Sequence, residues 1–186
     1  MPHSVLDLNV HTPEQTPVVW LARTWQEGAI AAAERPLKKS KFLAYFDLCR
    51  TTNDVYRILL ERIKFVDVPE FFTCDRKERK WNARKRQGFR MLGKLYPVSP
   101  KHVEQFWLRA IVQHRPFITS YEDTRTVDGV EHQSFRQAAV ALGLARDDQE
   151  HRNVLEEAKT GSTPFSMRAL FLMLLLHAGP AQPKEL

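Results

Sequence analysis

The chain has 186 residues, of which 43% are hydrophobic, and a formal net charge of +6 at pH 7. This length and composition predict one globular domain, or one domain with a small appendage, and exclude a chain that is disordered throughout. The basic balance favours an anionic partner such as nucleic acid or an acidic surface.

The N-terminal part, residues 1–36, is interpreted as strands followed by a connector. Residues 5–21 predict two short strands around a turn that contains proline, and residues 23–36 predict a connector with a short alanine-rich helix. No charged region followed by an apolar run marks a signal peptide. The most apolar segment, residues 169–177, is shorter than the ~20 residues that span a bilayer, so no membrane partner is expected.

Residues 37–178 are predicted to form a helical domain that carries a basic hairpin. Ser40 is a candidate N-cap of the first helix, and Thr52 or Asn53 of the second, because short polar side chains accept hydrogen bonds from the first helical turn. The apolar stripe of the second helix is predicted to consist of Val55, Ile58, Leu59 and Ile63.

The densest charge run of the chain lies between Arg76 and Lys94, where nine basic residues face a single acid, Glu78. Trp81 and Phe89 are interleaved with this charge, and a disordered basic tail would lack such large apolar groups. The period-2 alternation predicts two antiparallel strands, roughly 79–86 and 89–97, with residues 71–74 as an optional third strand. The sequence therefore predicts a folded basic surface anchored to a core.

Five basic side chains are predicted to share the outward face of this hairpin, because each lies an even number of places from its neighbour within its strand. They are the candidate nucleic-acid-binding residues Lys80, Arg84, Arg86, Arg90 and Lys94. Five phosphate contacts would give a slope of log affinity against log salt of about −3.5 on single strands and about −4.5 on duplex. Trp81 or Tyr96 could stack on a base, although alternation favours Trp81 as a core anchor.

Helical signals dominate the remainder of the chain. Ser99-Pro100 predicts the start of a helix with an aromatic stripe, Ser134 the start of another that ends at Gly143, and Asp128-Gly129 a turn between them. Residues 120–127 are expected to form one or two helical turns. Residues 147–159 are expected to be helical, beginning at Asp147 or Asp148, and residues 179–186 to be a tail.

The last helix, beginning near Ser166, is apolar on all sides, so it is either fully buried or covered by another domain. The predicted core draws on this helix, on the aromatic stripe and on the basic segment. It consists of Trp81, Phe89, Phe106, Trp107, Ile111, Phe135, Leu142, Leu170 and Leu174. The predicted fold class is α+β, mostly helical, with a short antiparallel sheet packed on helices.

The sequence offers no recognisable catalytic or metal-binding pattern. The order of AKTGSTPF is not that of a phosphate-binding loop, and Cys49 and Cys74 form no C-x-x-C pair, so both are expected to be buried, reduced thiols. His102 and His151 are predicted to be exposed, and His114 to lie at a helix end. No cofactor, metal ion or catalytic residue is therefore predicted.

Five segments follow one another in a recognisable order: SKFLAYFDLC, VPEFFTCDRKERKWNARK, RMLGKLYPVSPKHVEQFWLR, SYEDTRTVDG and SFRQAAVALGLARDDQEHRNVLEEA. In this order they resemble one region of the Helitron-type rolling-circle transposases, which lies between the replication-initiator nuclease and the helicase. The resemblance covers about Val5 to Leu176. The chain departs from the family pattern at Thr124, where a leucine is usual, and at His151, where an aromatic residue is usual.

The resemblance implies a DNA partner, a nuclear location and a neighbouring Helitron-type nuclease or helicase domain. It implies no catalytic residue here, because the nuclease and helicase motifs of that family are not present in this sequence. The first interpretation is thus a non-catalytic nucleic-acid-binding linking module. The alternative is an interaction domain that docks a nuclease or helicase through its apolar C-terminal helix, 167–178. DNA against RNA, and single against double strand, stay open.

Overall fold

The computed structural model describes residues 4–14, 39–75, 77–85, 91–144 and 149–178. Within these ranges the chain forms eight α-helices and six short strands, joined by one 3₁₀ turn and closed by one π-helical turn. The strands are β1 Ser4–Leu8, β2 Phe72–Cys74, β3 Trp81–Ala83, β4 Met91–Leu95, β5 Thr126–Val127 and β6 Val130–Glu131. The helices are α1 Lys41–Cys49, α2 Asp54–Leu60, α3 Val68–Phe71, α4 Val103–His114, α5 Tyr121–Arg125, α6 Phe135–Ala141, α7 Gln149–Lys159 and α8 Pro164–Met173; the 3₁₀ turn is Phe65–Asp67 and the π turn Leu174–Ala178.

The α+β, mostly helical class predicted from the sequence is confirmed. The described strands form three sheets of two strands each, in which β1 pairs with β4 in parallel, and β2 with β3 and β5 with β6 antiparallel. Because β1 pairs with β4 along its whole length, the N-terminal strand belongs to the same packed unit as the helical part.

A basic hairpin forms, but not from the expected strands. The predicted pairing of residues 79–86 with 89–97 is wrong, since β3 pairs with β2 and β4 pairs with β1. Alternation determines which side chains of a strand face the core, but it does not identify the neighbouring strand. The segment predicted as an optional third strand is in fact the partner of β3.

The core is centred on α4, which is buried on most of its sides. Phe106, Trp107 and Ile111 are each at most 1% exposed, and Phe135, Trp81 and Leu174 are also buried, as predicted. Leu142 was predicted wrongly, because it lies in the turn that ends α6 and is 37% exposed. Leu170 is half-buried against the core, and Phe89 lies outside the described residues.

Polar side chains cap most of the described helices, as the sequence indicated. Ser40, Asn53 and Ser134 accept hydrogen bonds from Leu43 N, Tyr56 N and Gln137 N at 3.1–3.2 Å. Two predicted helix starts are wrong. The aromatic helix begins at Val103, after a turn formed by the residues that follow Ser99, and the last helix is capped by Thr163, because Pro164 can occupy its first turn without losing a hydrogen bond.

The stripe predicted for α2 is wrong as well. Val55 is 73% exposed and Ile58 56% exposed, whereas Leu60 is fully buried. A helix of two turns carries too few positions to define its buried face from periodicity alone.

Two turn predictions are confirmed. Asp128 and Gly129 have φ values of 50° and 81°, as a two-residue connection between antiparallel strands requires. Gly143 has a φ of 79° and ends α6, with Leu144 N–H donating to Ala139 O at 2.9 Å. The alanine-rich connector, Asp147, Asp148 and the C-terminal tail lie outside the described residues.

Candidate nucleic-acid interface

The basic side chains are carried by a hairpin made of β2, β3, the residues between them and the two residues that follow. We call residues 72–85 the basic hairpin. Its described part contains Lys77, Arg79, Lys80, Arg84 and Lys85, with Glu78 and Asp75 as its only acids. Thus five of the nine basic residues of the predicted charge run lie in the described part of this hairpin, between its two strands or directly after β3.

Two aromatic side chains anchor the hairpin to the helices. Trp81 is 3% exposed, and its Nε1–H donates to Lys41 O of α1 at 3.0 Å. Phe72 is 1% exposed and meets Tyr56 of α2 edge-on, with ring centroids 5.4 Å apart. Trp81 is therefore a core anchor and has no free ring face for a base.

The tip of the hairpin is ordered by Asp75. Its Oδ1 accepts hydrogen bonds from Lys77 N–H at 2.7 Å and from Glu78 N–H at 2.9 Å, and its own N–H donates to Lys80 O at 2.8 Å. These backbone hydrogen bonds, first that of Glu78 and then that of Lys77, lower the pKa of the Asp75 carboxyl. The ordered tip leaves the side chains of Lys77 and Lys80 exposed.

Arg84, one of the five predicted contact residues, has a different position from the one expected. Its Nε–H donates to Pro69 O at 2.8 Å, its guanidinium lies 3.3 Å from Met91 Sδ, and its side chain is half-buried. Arg84 therefore links the hairpin base to β4, which limits its reach toward a ligand. Lys85, beside it, is exposed.

Lys94, another predicted contact residue, is not on the hairpin. Lys94 is exposed on β4, where Asp7 of β1 is its partner in the parallel register. An acidic neighbour weakens the attraction of Lys94 for phosphate. Tyr96, 56% exposed, lies just beyond it, and Arg86 and Arg90 lie outside the described residues.

The hairpin lysines differ electrostatically from many other cations of the protein. Arg57, Arg115 and Arg125 each form an ion pair with an acid. No ion pair within the described part of the chain engages Lys77, Lys80 or Lys85. Their charges are therefore available to an anionic ligand.

A polar cluster around the buried His11 was not predicted from the sequence. The Nε2 of His11 lies 2.7 Å from Ser40 Oγ, and Tyr121 O–H donates to His11 O at 2.9 Å. Burial raises the pKa of Tyr121 to about 12, so its hydroxyl stays protonated and donates. A serine beside a histidine is the arrangement of a nucleophile and its base, but Ser40 Oγ also accepts from Leu43 N–H and caps α1. The cluster instead fastens the N-terminal segment to α1 and α5.

A second polar contact joins the buried Arg109 of α4 to the exposed Glu157 of α7. Arg109 is 3% exposed, and its Nη2 donates to both carboxylate oxygens of Glu157 at 2.9 Å. Its Nε–H donates to Tyr96 O at 3.1 Å. The neighbouring His151, expected to be exposed, is buried with its ring 5.7 Å from that of Trp107. It was misjudged because histidine is polar enough to be read as a surface residue, although its ring packs well against aromatic residues.

The two cysteines are free thiols, of which only Cys49 is fully buried. Burial raises its pKa to about 12. Cys74, expected to be buried, is half-buried because it lies next to the hairpin tip. His102 is exposed and His114 is the last residue of α4, as predicted.

Within the described residues no cluster of three or more histidine, cysteine or acidic side chains is arranged to hold a metal ion. Nor does any helix of the described ranges have the length and apolarity needed to cross a bilayer. No protein-family model matches this chain, and the search of curated proteins finds no relative.

Proposed function

We propose that this chain is a non-catalytic nucleic-acid-binding module that contacts the phosphate backbone through the exposed lysines of its basic hairpin. Lys77, Lys80 and Lys85 are the principal contacts, and Lys94 a secondary one. Because the contacts are point charges on a hairpin rather than side chains aimed at base edges, binding is independent of base sequence.

The observation that carries this proposal is the anchored, ordered hairpin. Like charges repel one another, so a protein gains nothing in stability by concentrating lysines on one short hairpin. Trp81 and Phe72 fix its base and Asp75 orders its tip. A polyanion is the ligand that such a fixed group of cations suits best.

The resemblance to the Helitron-type transposases supports the same proposal and extends it. A DNA-bound module of this kind, working in the nucleus, would hold a Helitron-type nuclease or helicase domain near its substrate. The polar contacts between elements also favour a role without catalysis, because His11, Ser40, Arg109 and Glu157 all hold elements together.

The test measures, by fluorescence anisotropy at several salt concentrations, how labelled oligonucleotides bind to the parent protein and to two double variants that lose the same charge. The first variant, Lys77→Ala with Lys80→Ala, removes two hairpin lysines. The control variant, Lys101→Ala with Arg136→Ala, removes two exposed cations elsewhere: Lys101 from the loop before α4 and Arg136 from α6. The hairpin variant should flatten the slope of log affinity against log salt by about 1.4 on single strands and about 1.8 on duplex. The control variant should bind as the parent does.

Two results would contradict the proposal. One is a parent dissociation constant weaker than ~100 μM at low salt, since non-specific binding alone normally reaches that range. The other is an equal loss of affinity in both double variants, which would indicate attraction by net charge rather than by the hairpin. Unrelated sequences should be bound alike.

A further inference from the structure

The last helix exposes a line of apolar side chains that the protein's own core does not cover. Phe165 is 74% exposed, Leu172 56% and Leu176 76%, and Ala169 lies between the first two on the same face. We call these four residues the α8 stripe; Ala169 is half-buried, and Leu176 lies in the π turn that continues the helix. Together they present roughly 400 Å² of apolar surface, taking about 200 Å² for each large side chain.

The stripe is separate from the side of the helix that serves the fold. Leu174 is fully buried in the core and Leu170 packs against it. Leu172 and Leu176 are exposed, while Met173 is half-buried beside Ser99.

We infer that the α8 stripe binds the same stripe of a second copy of this chain, with the two helices antiparallel. The stripe residues are spaced by four, three and four positions, which is the a/d spacing of helices that pack along their length. This spacing reads the same in both directions. A two-fold axis at its midpoint therefore places Phe165 opposite Leu176 and Ala169 opposite Leu172, so that each contact occurs twice, as an isologous interface requires.

Size and charge agree with this occupant. In each pair a larger side chain meets a smaller one, which lets the two rows interdigitate. Arg168, the only charged residue of α8, lies opposite Met173 of the second copy, so its aliphatic stem covers apolar surface and the two Arg168 guanidinium groups do not face each other. The stripe is smaller than the ~800 Å² that each partner contributes to a standard interface, so the dimer is weak.

Sedimentation equilibrium of the full chain tests the association. The parent's average mass should rise from 21.7 kDa toward twice that value as the concentration increases from ~10 μM to ~1 mM. Leu172→Glu with Leu176→Glu should keep the protein monomeric over this range. Val55→Glu with Ile58→Glu, which adds the same charge at an exposed apolar face of α2, should behave as the parent. Circular dichroism confirms that each variant is folded.

Disulfide trapping tests the orientation, in a Cys74→Ser background that removes the half-buried native thiol. Ala169→Cys mixed with Leu172→Cys should give a heterodimer linked between the two positions, while either variant alone should cross-link at least several-fold less. Preferential self-linking of Ala169→Cys would show a parallel arrangement and overturn the inference. A parent that stays monomeric at ~1 mM, or association that Leu172→Glu with Leu176→Glu leaves unchanged, would also overturn it, and the first result would assign the stripe to a different protein.

Discussion

Gly93 is the position at which a single methyl group tests the packing of β4. A Cβ added there would lie 2.2 Å from the carbonyl oxygen of Val66 and 2.9 Å from Leu8 Cδ1. The first of these atoms belongs to backbone, so β4 and the 3₁₀ turn would have to separate by nearly an ångström. Such overpacking costs ~1–3 kcal/mol and occasionally more, and a clash with backbone belongs at the upper end.

One effect opposes this cost. Alanine restricts the unfolded chain more than glycine does, which stabilises the protein by ~0.4–1 kcal/mol where the native backbone is compatible. We therefore expect Gly93→Ala to lower the free energy of unfolding by about 2–3 kcal/mol, and the melting temperature by about 4–12 °C for a domain of this size. Gly161→Ala is the control, because a Cβ there meets nothing within 4 Å. It should change the free energy by less than about 1 kcal/mol, in the stabilising direction.

Urea denaturation followed by tryptophan fluorescence measures both variants, and the slopes with denaturant should stay equal if only stability changes. A Gly93→Ala protein within 0.5 kcal/mol of the parent would refute the close approach of the 3₁₀ turn to β4, since surface substitutions fall within about that range. The position of Lys94 relative to the hairpin depends on that approach.

Three further outcomes are expected. Phe106 is 1% exposed, so Phe106→Ala should lower the free energy of unfolding by about 3–5 kcal/mol in chemical denaturation, whereas Leu142→Ala should lower it by less than about 1 kcal/mol. Equal losses in the two variants would show that the core was assigned wrongly. Arg84→Ala should lower the free energy of unfolding by about 1–2 kcal/mol, because the hydrogen bond to Pro69 O is lost. It should flatten the slope of log affinity against log salt by less than Lys80→Ala does. An Arg84→Ala protein of unchanged stability would contradict the anchoring role of Arg84. Hydrogen bonds lower the pKa of the Asp75 carboxyl, so the hairpin tip should be fully ordered above the unfolded pKa of ~3.9 and lose its order as the pH falls through the lower folded pKa. The NMR amide resonances of Lys77 and Glu78 should show this transition. The transition should be absent in Asp75→Asn, which cannot titrate.

The sequence predicted those features that depend on local chemistry. Ser40, Asn53 and Ser134 cap helices because a short polar side chain can reach the nearby amides whatever the rest of the fold. The Asp128-Gly129 turn and the end of α6 at Gly143 follow from the positive φ that glycine tolerates. The core face of α4 was read correctly because twelve residues give three full turns of periodicity.

Features that depend on contacts between residues far apart in the sequence could not be predicted from local patterns. The partner of β4 is β1, more than eighty positions away along the chain, and no pattern within β4 identifies it. His151 was predicted to be exposed, because nothing in the nearby sequence indicates that its ring packs against those of Phe106 and Trp107. The half-buried position of Arg84 was not predicted, because its hydrogen-bond acceptor, Pro69 O, comes from another element.

Two groups of residues in this protein differ in how much their replacement would lower the stability of the fold. One group comprises His11, Ser40, Arg109 and Glu157, and each of them joins elements that are distant in sequence. They record how the chain folds, and replacing them would disturb the fold before it disturbed a function. Lys77, Lys80 and Lys85 make no contact of that kind within the described residues, so replacing them should leave the fold intact. A loss of nucleic-acid binding in a lysine variant of unchanged stability would therefore report on function alone, which no variant of the polar residues that join elements can do.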